Sequence, residues 1–183
     1  PKNVDLIAGD ALQTDWHVTI QDDYKIVANI PYSITSPLLR KIYTHTHPPM
    51  TVVLLVQKEL AERITASAGS SNRGMLTLLT EASARAEIVR TVPAASFYPV
   101  PKVESAVIRL VPKRSEMSSI FWPAVEAGFR HKRQTLANSL KDIQVSKEQS
   151  EKLLAELGLD PMVRPQVLSF LDWQHLSLLI QRR

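Results

Sequence analysis

Tyr24-Lys25-Ile26-Val27-Ala28-Asn29-Ile30-Pro31-Tyr32 is the stretch that decides the fold, because a short apolar run over 24–28 ends in a polar amide, a proline and an aromatic ring. The run reads as a buried strand, and in open α/β sheets ligands bind at the carboxyl ends of strands. Asn29-Ile30-Pro31-Tyr32 supplies hydrogen-bond acceptors beside a flat ring that can stack on a nucleobase. Taken alone, the same four residues are equally compatible with an ordinary turn.

Working outward, short β-branched runs alternate with helical patterns through the first half of the chain. Strands are predicted at 4–8, 25–29, 51–57, 86–92 and 103–111. This alternation predicts βαβ units, an α/β fold and a mainly parallel sheet, the last two strands pairing as an antiparallel hairpin. Ser36-Pro37 reads as a cap and first position of a helix over 37–43, and further helices are expected at 58–67 and 75–84. Between them, Ala68-Gly69-Ser70-Ser71-Asn72-Arg73-Gly74 reads as a mobile loop. Beyond 111 only helical periodicity remains. Residues 112–118 form the expected linker, followed by helices within 119–140, at 146–157 ending at Gly158, and at 169–181.

A chain of 183 residues with 44% hydrophobic content can bury a core of one or two domains. No apolar stretch approaches the roughly 18 residues that cross a bilayer. Without cysteine, disulfides and thiolate-held metals are excluded for these residues, in keeping with a reducing compartment, and cytoplasm is the expected location. The net charge of +4 suits a polyanionic partner. Residues 1–112 carry 11 basic and 10 acidic side chains and residues 113–183 carry 11 and 8, so most of the excess lies in the C-terminal part.

Two further segments accompany Asn29-Ile30-Pro31-Tyr32. Val4-Asp5-Leu6-Ile7-Ala8-Gly9-Asp10-Ala11-Leu12 precedes it, and Phe97-Tyr98-Pro99-Val100-Pro101-Lys102-Val103-Glu104-Ser105-Ala106-Val107 follows, a proline-stiffened aromatic loop leading into a strand. In this order and spacing the three resemble the KsgA-type ribosomal RNA adenine dimethyltransferases, from about residue 4 to the C-terminus. The resemblance implies a partial Rossmann-like S-adenosylmethionine-dependent methyltransferase domain over residues 1–112 and a small helical rRNA-binding domain over 113–183. It also implies an activity: methyl transfer from S-adenosylmethionine to two adjacent adenosines of small-subunit (16S-type) rRNA during ribosome biogenesis. The glycine-rich loop and ribose-binding acid of such enzymes are not in this sequence, which therefore reads as N-terminally truncated and impaired in cofactor binding.

By the same resemblance Asn29 and the Pro31 carbonyl accept the protons of the target amine, while Tyr32 and Phe97 stack on the base. Asp10, with Ala11 beside it, binds the adenine of the cofactor, which Asn29 also touches. No metal is implied. Arg130, Lys132 and Arg133 match a basic segment set against rRNA, and Arg73 and Lys102 are expected to flank the target strand. Asp22 and Asp23 read as solvated turn residues, and His45 and His47 as a surface loop. The competing function is a non-catalytic RNA-binding assembly factor of small-subunit precursors. A DNA adenine methyltransferase shares a similar tetrapeptide but is not expected to carry the 97–107 segment followed by a helical domain.

Overall fold

A computed structural model describes residues 3–14, 16, 20 and 23–182. Four strands, β1 (Lys25–Asn29), β2 (Thr51–Gln57), β3 (Ala84–Val92) and β4 (Ser105–Pro112), lie in the order β1-β2-β4-β3. The two inner strands hold the core: Val52, Leu54 and Val56 of β2 and Ala106, Ile108 and Leu110 of β4 are fully buried. Their period of two is the alternation that a sheet with a buried face demands.

The expected parallel sheet is only partly realised. β1 and β2 run parallel and β3 and β4 form the expected antiparallel hairpin, but β4 is antiparallel to β2 as well, so a single pairing among the described strands is parallel. The connection over 93–104 holds a single 3-10 turn, Ala94–Ser96, and no crossover helix. The chain must therefore re-enter the sheet from the end at which β3 left it. The strand predicted over 4–8 is also absent. Those residues pair with no described strand, and Val4, Leu6 and Ile7 are 60%, 95% and 58% exposed. β1 is thus an edge, with Val27 77% exposed. Asp22 lies outside the described residues.

Helix α1 (Thr35–Thr44) turns Leu38, Leu39 and Ile42 toward the sheet. It begins before Ser36, the expected cap, because a 3-10 turn over Tyr32–Ile34 runs straight into it. α2 (Lys58–Ile64) buries Ala61 and Ile64. α3 (Met75–Ser83) serves two apolar clusters, since Leu76 packs with the sheet and Leu78 with the C-terminal helices. Tyr43 of α1 reaches Thr80 of α3 at 3.0 Å. Burial pushes its phenol up to about 12 against the opposing pull of that hydrogen bond.

Residues 113–118 take no regular structure and lead into α4 (Phe121–Arg130), α5 (Leu136–Ser139), α6 (Lys147–Glu156) and α7 (Phe170–Gln181). Phe121, Leu136, Leu140 and Trp173 are the large, fully buried side chains of this cluster. The helix signals read from sequence are met locally. Ser146 and Gln149 cap α6 reciprocally, Ser169 and Asp172 cap α7, and Gly158 adopts φ +72° just past α6. At Gly128 the helices approach so closely that an added Cβ would lie 2.7 Å from the Trp173 ring.

Candidate functional site

The sheet register brings the decisive segments to one edge. Asn29 is the last residue of β1 and pairs with Leu55, two residues from the end of β2, where Gln57 pairs with Ser105. Ser105 also pairs with Val92, the last residue of β3. The carboxyl ends of β1, β2 and β3 therefore meet the start of β4. The Tyr32 hydroxyl closes this arrangement at 2.6 Å from the Ser105 Oγ. The loop bearing Phe97 springs from the same edge, and Phe97 is half-buried behind the 3-10 turn, its N–H donating to the Ala94 carbonyl.

Asn29 is exposed, and its amide makes no hydrogen bond among the described residues. Pro31 is more committed, because its carbonyl accepts the Ile34 N–H at 3.1 Å. A carbonyl has two lone pairs, so one remains for a ligand. Tyr32 is half-buried and held by Ser105 through its hydroxyl, which fixes where its ring lies. Tyr98 is fully exposed. Lys102 is exposed in the same loop, whose far end is anchored where Lys58 binds Glu104 at 2.8 Å. The hydrogen bond and charge of Glu104 raise the Lys58 ammonium above its ordinary pKa.

Asp10 caps its own turn. Its Oδ1 accepts the Leu12 N–H at 2.8 Å, and its carbonyl accepts from Gln13 and Thr14. The residue that holds this turn in place is one the sequence reading missed. Lys41 of α1 donates to the carbonyls of Ala11 at 3.1 Å, Leu12 at 2.9 Å and Thr14, and lies 4.5 Å above the Trp16 ring. Nothing in the local pattern around Lys41 announces this, since its partners are backbone atoms some thirty residues upstream.

The basic residues separate into two kinds. Arg73, expected to flank an RNA strand from a mobile loop, is instead fully buried. Its guanidinium donates to both Glu81 carboxylate oxygens at 2.9 and 2.7 Å, to the Ala66 carbonyl at 3.0 Å and to the Leu168 carbonyl at 3.1 Å. Four of its five N–H donors are spent inside the fold and the side chain is fully buried, so the loop is tied down rather than free. Arg130, Lys132 and Arg133 remain at the surface, but only Arg130 is helical, and the others lie in the turn that follows α4. Arg130 and His131 share Asp142 at 3.1 and 3.3 Å, and Lys132 donates to the Ser71 carbonyl. Arg133 is exposed without an ion pair among the described residues. His45 and His47 lie, half-buried, in the loop between α1 and β2, the His45 ring 5.8 Å from Trp16 and that of His47 5.9 Å from Tyr24.

A family model described as ribosomal RNA adenine dimethylase matches residues 1–181. The chain is 37% identical over 191 residues to a ribosomal RNA small subunit methyltransferase A of Geobacillus thermodenitrificans, covering 96% of this chain and 65% of that protein. A protein of the same name from Syntrophotalea carbinolica is 38% identical over 179 residues, with 94% and 68% covered. The chain thus spans 65% of the length of the first of these relatives. Among solved structures, a dimethyladenosine transferase from Plasmodium falciparum superposes with a TM-score of 0.79 at 28% identity, covering 96% of this chain and 72% of that one. The 23S rRNA methyltransferase ErmE shares the fold, with a TM-score of 0.74 at 23% identity over 97% of this chain and 72% of its own.

Proposed function

The chain belongs to the ribosomal RNA adenine dimethylase family, and from that premise we propose that its sheet edge positions adenosines of small-subunit rRNA for methylation at the exocyclic amine. The substrate is a pair of adjacent adenosines in a precursor of the small ribosomal particle, and the setting is cytoplasmic. The observation that carries this reading is the Tyr32–Ser105 hydrogen bond at 2.6 Å. It joins the end of β1 to the start of β4, so that Asn29, Pro31, Tyr32 and Phe97 belong to one edge.

The lone pair of an adenine amine is delocalised into the ring, which makes the nitrogen a poor nucleophile. Holding both N–H groups on the Asn29 amide oxygen and the second lone pair of the Pro31 carbonyl draws that nitrogen toward a pyramidal geometry. Tyr32 and Phe97 clamp the base, each stack contributing about 1–3 kcal/mol. S-adenosylmethionine supplies, when bound, the electrophilic methyl group. The residues that fit its adenine are Asp10, which keeps a carboxylate oxygen beyond the one spent on Leu12, the neighbouring Ala11 backbone, and Asn29. After one methylation a single N–H remains, so one acceptor must go unpaired or take water, and the two steps depend unequally on Asn29.

Single-turnover assays with saturating S-adenosylmethionine and small-subunit rRNA, read by mass spectrometry of the digested RNA, test this. Asn29→Ala should lower methyl transfer at least tenfold while leaving RNA affinity within twofold. Activity and binding lost in parallel would make Asn29 structural and the reading wrong.

A further inference from the structure

We propose that a second RNA contact lies in the cleft between α1, α2, the first turn of α3 and the turn after α4, where Arg40, Arg63 and Lys132 seat a backbone phosphate. The inference rests on the rRNA reading above and adds to Lys132, already expected against rRNA, two residues that reading does not use, Arg40 and Arg63. The cleft measures about 430 Å³, within the range of roughly 300–1,000 Å³ usual for ligand sites. Four cations line it and no carboxylate does. One of the four, Arg73, is neutralised by Glu81.

That leaves three positive charges facing one cavity from three separate elements. Arg40 is exposed and makes no ion pair among the described residues. Arg63 pairs with Glu59 at 2.7 Å, but this is an exposed i,i+4 contact on a single helix, weak and readily exchanged for a phosphate. Lys132 spends one of its three donors on Ser71. Such a cluster repels itself until an anion arrives.

The backbone adds to the same field. Gly74, Met75 and Leu76, at the start of α3, line the cleft. The Thr77 Oγ1 accepts the Gly74 N–H at 3.1 Å, but Gly74 brings no side chain to the N–H groups that follow, so the first turn of α3 keeps backbone donors at the cavity. A polymeric strand is favoured over a free anion because the half-buried Phe129 ring and the exposed Asn72 amide stand in the same wall, ready for a base. Arg40 also lies eight residues beyond Tyr32, about 12 Å at a helical rise of ~1.5 Å per residue. One strand can reach both places.

The test is fluorescence anisotropy of a labelled small-subunit rRNA fragment across a salt series, with this chain and its Arg40→Gln/Arg63→Gln double variant. The slope of log K against log salt should flatten by roughly 0.7–0.9, the contribution of the one phosphate that the pair helps to neutralise. Arg40→Lys/Arg63→Lys, which keeps the charge, should retain most of the parent slope, and circular dichroism should be unchanged throughout. A double variant with the parent slope overturns the cleft and leaves the rRNA reading standing, whereas a parent without salt-dependent RNA binding overturns both. Micromolar binding of inorganic phosphate in equilibrium dialysis, lost in the double variant while RNA binding persists, would assign the cleft to a free anion and overturn the RNA contact.

Discussion

Two regions of this molecule are each held by one long cation, and they are held in opposite ways. At the junction between the sheet and the C-terminal helices, Arg73 is fully buried and gathers a carboxylate and two carbonyls into its planar fork. At the turn bearing Asp10, Lys41 gathers three carbonyls around an ammonium, and the chain before the turn stays open to solvent, Leu6 being 95% exposed. The first region is closed by packing, with Leu78 and Trp173 behind it. The second is closed mainly by hydrogen bonds to one ammonium, with only the partly buried Leu12 and Trp16, among the described residues, touching the core. A turn held that way can loosen without disturbing the core, whereas the junction cannot open without uncovering buried groups.

If the junction is the structural half of this comparison, breaking it should have the largest effect on stability. Arg73→Met leaves the Glu81 carboxylate and two carbonyls without their donor. Removing one partner of a buried pair typically costs about 3–5 kcal/mol, and because Glu81 is one-third exposed the lower end applies. Urea unfolding should show the midpoint falling with an unchanged m-value, while an unchanged midpoint would return Arg73 to the RNA-binding surface. Gly128→Ala probes the same region through shape rather than charge. Its Cβ would sit 2.7 Å from the Trp173 ring and 3.2 Å from Leu136 and Pro165, and overpacking of this kind costs about 1–3 kcal/mol. Thermal melts should rank it at or below Arg73→Met.

What could be read from the sequence divides along the same line. The strand Thr51–Gln57 was legible because its apolar, β-branched run is local, and so were the helix starts near Ser146 and Ser169 and the stop at Gly158. Asn29 to Tyr32 was legible as a motif, but its connection to the Phe97 loop runs through Ser105, seventy-three residues from Tyr32. Residues 4–8 have strand composition without a strand, since a strand exists only where a partner pairs with it. Arg73 misled because a Gly/Ser-rich loop reads as exposed, while its burial is decided by Glu81 and by Leu168, ninety-five residues away. Lys41 and the cleft at Arg40 and Arg63 left no local trace. Each depends on which backbone or helix the fold brings alongside.

The smallest expected effect on stability is also the sharpest test of the contrast. Lys41→Met keeps the length and apolar stem of the side chain while removing the three donors that hold the carbonyls of Ala11, Leu12 and Thr14. These acceptors belong to a turn in which Ala11 is exposed and Leu12 and Thr14 are half-buried, so water can replace most of the lost bonds. With water taking over these exposed and half-buried acceptors, the three bonds together leave a net loss no larger than about 0.5–1 kcal/mol, that of one ordinary hydrogen bond. Global stability should therefore move by less than about 1 kcal/mol, well below Arg73→Met. The turn itself should loosen. Amide exchange at Leu12 and Thr14, whose N–H groups are held by the Asp10 side chain and carbonyl, should accelerate several-fold while that of β2 stays at the parent rate. Faster exchange in β2 as well would mean that Lys41 supports the core, and that the two cations differ in degree and not in kind.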